Sequence, residues 1–519
     1  MKLGNSLKGD IYMGKGKKLG LSALILMIFT SVFGFTNIPR SFFLMGYGAI
    51  PWYIISGILF FIPYAFMMAE FGAAFKDEKG VIYSWMEKSV GTKFAFLGTF
   101  MWYTSNIIWM VSVSSSIWIP ASNIIFGSDK TQEWALFGLS GSKLLGVLGI
   151  ILIILVTYVS TKGLKNISKI TSIGGIFVTF ANVLLLVGGI IVLVGNGFTP
   201  AEPITLHSFV SSPNKSYSSV LGMLGFVVFA LFSYGGLEVA AGLVDETEKP
   251  LVNFPKAIKL SAAIIGIGYS VAILFVGFFT NWSEILTGDN VNMANVAYVV
   301  LNNLGVQIGN VLGFTQSNAL ILGSIFARFI GLSMLLALTG GMFTMIYAPI
   351  KQLIEGTPKE IWPKSWTKIN KENMPVKAMW IQCVVVVVII ALSAFGGKSA
   401  SKFLDYLILM GNVSMTVPYM FLTIAFIFFK KNQAIEKPFK MFKSYKSGAI
   451  WAVIVTVTIG FANVFTIIQP ALEEKDYFSS ILQLAGPVVF GIIGLVLYTI
   501  YEFKKKKNEK FHEENVSVF

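Results

Sequence analysis

Charge, cysteine, histidine and arginine are all scarce in this chain, and each scarcity removes a class of protein. Only 13% of the 519 residues are charged, against about a quarter in a soluble domain. So little charge cannot cover a chain of this length, and water is not its main solvent. The one cysteine, Cys383, lies within an apolar run, so no intramolecular disulfide forms and the residue reads as packing. His207 falls in a polar connection and His512 in the C-terminal tail, which excludes a histidine proton relay within the apolar runs. There is no His pair in an apolar run, no Gly-x-Ser-x-Gly elbow and no phosphate-binding glycine loop. No catalytic residue, metal or cofactor is therefore expected, and the chain does not read as an enzyme.

Long apolar runs are plentiful. With 55% hydrophobic residues, segments of roughly 18 to 35 residues recur, each long enough to cross ~30 Å of hydrocarbon. They fall at roughly 19–44, 49–71, 94–126, 144–161, 170–195, 218–243, 258–280, 315–349, 376–396, 402–429, 448–469 and 479–503. None alternates strictly, so their backbone groups are satisfied as helices and a β-barrel is excluded. The first run follows Lys2, Lys8, Lys15, Lys17 and Lys18 but is too long for a secretory signal and lacks a small-residue cleavage site, so it reads as the first span. The fold class is an all-α polytopic membrane protein of about twelve spans.

A net charge of +14 raises the question of a nucleic-acid partner, and the placement of the lysines answers it. With the N-terminus inside, 32 of the 38 lysines fall in the two tails and the even-numbered loops, against 6 in the others. That is the positive-inside pattern of a membrane protein with both termini cytoplasmic, and no nucleic acid is expected. Lys504 to Lys507 face anionic headgroups in this reading. The only two arginines, Arg40 and Arg328, lie instead within spans, where a charge costs about 2.5–3.5 kcal/mol or more. Each is either a structural pair or a contact to a substrate carboxylate or a gate, since guanidinium binds carboxylate bidentately.

Two spans carry polar and helix-breaking clusters near their middles: Thr30 to Asn37, followed by Pro39, in the first, and Phe232 to Glu238 in the sixth. Lipid tolerates an interrupted helix only where it lines a protein-enclosed cavity. The clusters lie five spans apart, and an odd offset reverses orientation, so spans one to five match six to ten as an inverted repeat with a site near the midplane. There a half-helix N-terminus offers free N–H groups to an anion while unwound carbonyls accept from a cation, which suits a zwitterionic amino acid. Glu238 is a candidate proton acceptor, gate or buried partner; Glu70, closing the second span, reads as structural.

Several segments, in order, resemble the amino acid–polyamine–organocation superfamily, and within it the glutamate/γ-aminobutyrate antiporter-like family. They are Phe33-Gly34-Phe35; Ile62-Pro63-Tyr64 through Glu70-Phe71-Gly72; Gly80-Val81-Ile82-Tyr83-Ser84-Trp85; Tyr234-Gly235-Gly236-Leu237-Glu238; Asp245-Glu246-Thr247 with Asn253-Phe254-Pro255-Lys256-Ala257; and Trp366 to Lys371 before Pro375. The resemblance covers nearly the whole length. It implies a LeuT-type five-plus-five inverted repeat with two added helices, broken helices one and six, and alternating access. It also implies that a substrate carboxylate meets the backbone of Ser31, Val32, Phe33 and Gly34. The amino group would meet carbonyls near Phe232 and Ser233, beside Gly235 and Gly236, with Phe232 as gate. Ser105, Asn106, Ser112 and Ser114 of span three, and Ser333 and Thr339 of span eight, are candidate cavity residues. Three departures stand out. Span five offers Thr179 and Asn182 where some relatives hold a lysine, so lysine mimicry of sodium is not expected. Only about 16 residues follow span twelve, so a C-terminal plug and the acid-resistance role are not expected. Ala348-Pro349-Ile350-Lys351-Gln352 stands where relatives usually show a glycine and an arginine.

These readings divide the chain into a tail (1–18), a first repeat (19–197), a second repeat (198–430), spans eleven and twelve (431–503) and a tail (504–519). The function expected is a secondary amino acid transporter of the plasma (inner) membrane, exchanging acidic or neutral amino acids such as glutamate and γ-aminobutyrate. The alternative is proton-coupled uptake of a neutral or cationic amino acid. A channel would need rings of charge or a repeated filter, and neither is visible.

Overall fold

The computed structural model describes residues 18–78, 80–238, 244, 247–288 and 291–516. The Asp245-Glu246 pair of the resemblance, the continuation of span six at 239–243 and the lysines of the tail before Lys18 lie outside the described residues. Helices dominate, and the one sheet among the described residues is a two-residue hairpin, Ala135–Leu136 with Leu139–Ser140. Among the described residues ten helical stretches are long and apolar enough to cross a membrane. One of them, Asn37–Ala74, holds the second half of the first span and all of the second. The crossings that this criterion misses are the two interrupted ones, so the chain is the polytopic all-α membrane protein its composition dictates.

Both interruptions sit where the polar clusters lie. The first span stops as the helix Leu21–Val32 and resumes as Asn37–Met45. Pro39 stands in the first turn of the second piece, where its missing N–H leaves no internal bond unmade. The sixth span stops as Val220–Phe232, passes through Ser233 to Gly236 without helical structure, and resumes at Leu237. Gly236 has φ +106°, a conformation that costs a side chain dearly and that glycine adopts freely.

Other spans differ from their expected form in ways with local causes. The third is two helices, Thr92–Ser116 and Trp118–Phe126, with Pro120 in the first turn of the second. The second span contains a π turn, Gly57–Phe61, next to the point where the Tyr234 hydroxyl donates toward the carbonyls of Tyr53 and Gly266, each at 3.2 Å. A further helix, Val296–Val311, lies between the seventh and eighth spans; at ~1.5 Å per residue it is too short to cross. It lies against the eighth span, Gln316–Gly356, through close backbone approach at Gly305 and Gly323.

The lysine-rich connections meet at one end of the bundle. Glu248 N–H donates to Leu19 O at 2.8 Å, Asn370 Nδ2 to Thr161 O at 3.1 Å, and Gly80 packs on Gly356. At this end the second span is pinned by a fully buried ion pair: Glu70 Oε2 lies 2.9 Å from Lys430 Nζ. The other Glu70 oxygen accepts from the backbone N–H groups of Met441 and Phe442 at 2.8 and 2.7 Å, which gives Glu70 the structural place expected of it. At the opposite end Trp282 N–H donates to Glu202 at 2.8 Å and Ser212 Oγ to Leu44 O at 3.1 Å.

Candidate substrate site

The two breaks face each other across a tyrosine. Tyr269 of the seventh span, Pro250–Phe279, accepts from Gly34 N–H at 3.1 Å and donates to Ser233 O at 3.0 Å. Its ring stands edge-on to Phe33, with centroids 4.7 Å apart. One hydroxyl thus satisfies an amide of the first break and a carbonyl of the second, the groups that a helix would have paired internally. A parallel row ties Ser41, Tyr53 and Ser233: Tyr53 lies 2.9 Å from Ser41 Oγ and donates to Ser233 Oγ at 3.0 Å. A Cβ at Gly34 would sit 2.9 Å from Asn37 Nδ2, so a side chain there would have to displace the Asn37 amide.

Beyond the sixth-span break, Glu238 is buried, with 3% of its surface exposed. Tyr419 of the tenth span donates to its Oε1 at 3.1 Å and accepts from Gly236 N–H at 3.3 Å. Oε2 of Glu238 has no hydrogen-bond partner among the described residues, and neither has the nearby Tyr64 hydroxyl.

A cavity of about 350 Å³ opens beside the first break. Gly34 and Thr36 form part of its wall with Trp109 and Ser116 of the third span, Val178 of the fifth and Gly341 of the eighth. Arg40 and Tyr298 also line it. Arg40 Nε donates to Met293 O at 2.7 Å, and no carboxylate pairs with the guanidinium among the described residues.

A long helical chain with two broken spans joined through one tyrosine and a small, mostly apolar cavity beside the first break is an architecture for passing a small molecule across a bilayer. The family described as amino acid permease matches residues 19–493. The chain belongs to the amino acid permease family. The permease is 50% identical over 498 residues to the inner membrane transporter YjeM of Escherichia coli strain K12, covering 96% of this chain and 99% of that one. It is 22% identical to the aspartate/glutamate permease AcaP of Lactococcus lactis subsp. cremoris, over 95% of this chain and 97% of the relative. It is 21% identical to the glutamate/gamma-aminobutyrate antiporter of Lactococcus lactis subsp. lactis, over 89% and 86%. It is a transporter and not an enzyme.

Within the permease, the expected site residues divide. Ser31 stands in the last turn of Leu21–Val32, its side chain outside the described set. Val32 O lies 3.4 Å from the Tyr269 hydroxyl, and Phe33 and Gly34 line the cavity. Ser233, Gly235 and Gly236 form the second break around Tyr269 and Tyr419. Phe232 ends the helix Val220–Phe232, half-buried, and is not part of the cavity wall. Ser105 and Asn106 are buried, bonded back to Met101 O and Trp102 O of their own helix. Neither they, Ser112, Ser114, Ser333 nor Thr339 reach the cavity; the face of span three that does carries Trp109, Val113 and Ser116.

Arg328 is not brought to the site either. Its Nη1 donates to Ile124 O and Ile125 O, each at 2.6 Å, closing the carbonyl end of Trp118–Phe126 as a cation favourably does. The sequence reading missed Tyr269, Tyr419 and Tyr53. Their signal was present as tyrosines inside apolar runs, whose hydroxyls need partners when buried.

Proposed function

We propose that this permease exchanges amino acids across the plasma (inner) membrane by alternating access, taking an acidic amino acid such as glutamate and releasing γ-aminobutyrate or a similar neutral one. The observation that carries the reading is the Tyr269 bridge between the two breaks. It marks backbone groups that a substrate carboxylate and amino group would take over, with Gly34 N–H on one side and the carbonyls near Phe232 and Ser233 on the other. In this reading spans one to five and six to ten are inverted repeats that rock about the site. The lysine-rich end, which carries both tails, faces the cytoplasm. The named relatives that handle glutamate support the substrate class.

A second reading has its own support. Glu238 is buried and one of its oxygens has no hydrogen-bond partner among the described residues, which suits a proton-accepting carboxylate, and this favours proton-coupled uptake of a neutral amino acid. Exchange in proteoliposomes separates the two. Vesicles preloaded with each unlabelled amino acid are offered labelled glutamate, with and without an inward proton gradient. Uptake that requires internal glutamate or γ-aminobutyrate supports exchange. Uptake of labelled neutral amino acids into empty vesicles, driven by the gradient, supports the second reading and overturns the first.

A further inference from the structure

We infer that Arg40 reads a carboxylate at the far end of the substrate, and so makes the site specific for molecules that carry an amine and a distal carboxylate. The inference rests on the substrate site proposed above extending from Gly34 into the cavity that Gly34 lines. Three observations carry it.

First, Arg40 is the one charged residue on the cavity wall among the described residues. A cation facing a small, largely apolar space attracts an anion and repels a lysine- or arginine-like substrate. Second, its donors are underused. Arg328 spends Nη1 on two carbonyls and sets Nε 3.4 Å from Ser324 Oγ, whereas Arg40 makes one side-chain hydrogen bond among the described residues, through Nε to Met293 O. The Nη groups that form the bidentate fork take no part in that bond. Asp129, an acid placed near Tyr298, is already engaged by Thr131 through N–H at 2.9 Å and Oγ1 at 2.7 Å.

Third, the direction is right. Arg40 sits on Asn37–Met45, directly after the break, and side chains on a helix lean toward its N-terminus. The side chain therefore leaves the helix toward the break, and Arg40 and Gly34 share the cavity wall.

This geometry accounts for how one site accepts both members of the proposed exchange. Glutamate and γ-aminobutyrate differ by the α-carboxylate; they share an amine and a carboxylate separated by three carbons. With the amine on the break carbonyls, which lie off the cavity wall, the shared carboxylate would reach past Gly34 into the cavity whose wall carries Arg40, in both. The α-carboxylate of glutamate takes Gly34 N–H in place of the Tyr269 hydroxyl. For γ-aminobutyrate, which has none, Tyr269 keeps that amide satisfied.

The test compares purified wild-type, Arg40→Lys and Arg40→Gln in proteoliposomes, reading uptake of labelled glutamate, γ-aminobutyrate, glutamine and lysine. Wild-type should favour glutamate and γ-aminobutyrate. Arg40→Gln should lower the preference for glutamate over glutamine at least tenfold, with Arg40→Lys between them. A preference unchanged in Arg40→Gln, or a wild-type that moves glutamine or lysine but neither carboxylate substrate, overturns the inference while leaving transport by this site intact. Failure of wild-type to move any amino acid would instead overturn the function itself. Should Arg40→Gln not fold, the thermal shift of wild-type decides: stabilisation by glutamate and γ-aminobutyrate but not by glutamine supports Arg40, and equal stabilisation by all three overturns it.

Discussion

Replacing Lys430 by methionine keeps the length and much of the packing of the side chain but removes the cation from Glu70. The carboxylate is fully buried, with side-chain exposures of 0% for Glu70 and 3% for Lys430. Breaking such a pair by removing one partner costs about 3–5 kcal/mol, because the remaining charge stays desolvated. Here the carboxylate keeps two backbone donors, Met441 N–H and Phe442 N–H, which places the loss near the lower figure, about 3 kcal/mol. Phe442 O also loses its bond from Nζ at 2.5 Å, which adds to the loss. The assay is thermal unfolding of the purified protein in detergent, followed by tryptophan fluorescence. Lys431→Met, an exposed neighbour, serves as control and should change stability by no more than about 0.5 kcal/mol. The double variant Glu70→Gln/Lys430→Met should recover much of the loss, since a neutral amide can still accept from the two N–H groups. The reasoning fails if Lys430→Met unfolds with Lys431→Met, or if the double variant is less stable than Lys430→Met.

Glu238→Gln should slow exchange by about tenfold or more, about 1.4 kcal/mol on the barrier, while ligand-induced thermal stabilisation is largely kept; equal loss of both would assign Glu238 to binding. Arg328→Lys should leave the substrate profile unchanged and cost about 1–2 kcal/mol of stability, because one ammonium replaces a fork that holds two carbonyls; an altered profile would return Arg328 to the site. Gly486→Ala should destabilise by about 1–3 kcal/mol or more, read by thermal unfolding, since its Cβ would lie 2.0 Å from Met410 O, a backbone atom. Burial raises the Glu202 carboxyl above the usual carboxylate range, partly offset by the bond from Trp282 N–H. The folded state therefore binds that proton more tightly than the unfolded one, so stability gained below the ordinary carboxylate pKa is lost as pH rises through the raised value. Thermal unfolding of Glu202→Gln should be correspondingly flatter across this range.

The membrane architecture was legible because the physics behind it is one-dimensional. An apolar run of sufficient length must be a span, and a polar cluster inside one must be a break or a packing face. Both clusters proved to be breaks, at Phe33 to Thr36 and Ser233 to Gly236. The kink at Ile117 was less legible: Pro120 alone does not say whether a helix bends or restarts.

The side chains around the breaks were harder to read, for a reason visible in span three. Ser105, Asn106 and Ser112 drew notice because they are polar, yet a serine or asparagine in a helix can satisfy itself on the carbonyl four residues back, as Ser105 and Asn106 do. Polarity inside a span is therefore weak evidence for a cavity. The groups that join the breaks are tyrosines, whose hydroxyls stand too far from their own backbone to bond it and must reach another element. Tyr269 bonds a partner 235 positions away and Tyr419 one 181 positions away. The arginines divide by the same logic. Arg328 finds its acceptors at the end of a neighbouring helix, a place that no pattern in one span encodes, while Arg40 follows the break directly. In a helix-only membrane protein, the side chains that mark the site are those whose polar ends cannot be satisfied at home, and sequence distance hides their partners.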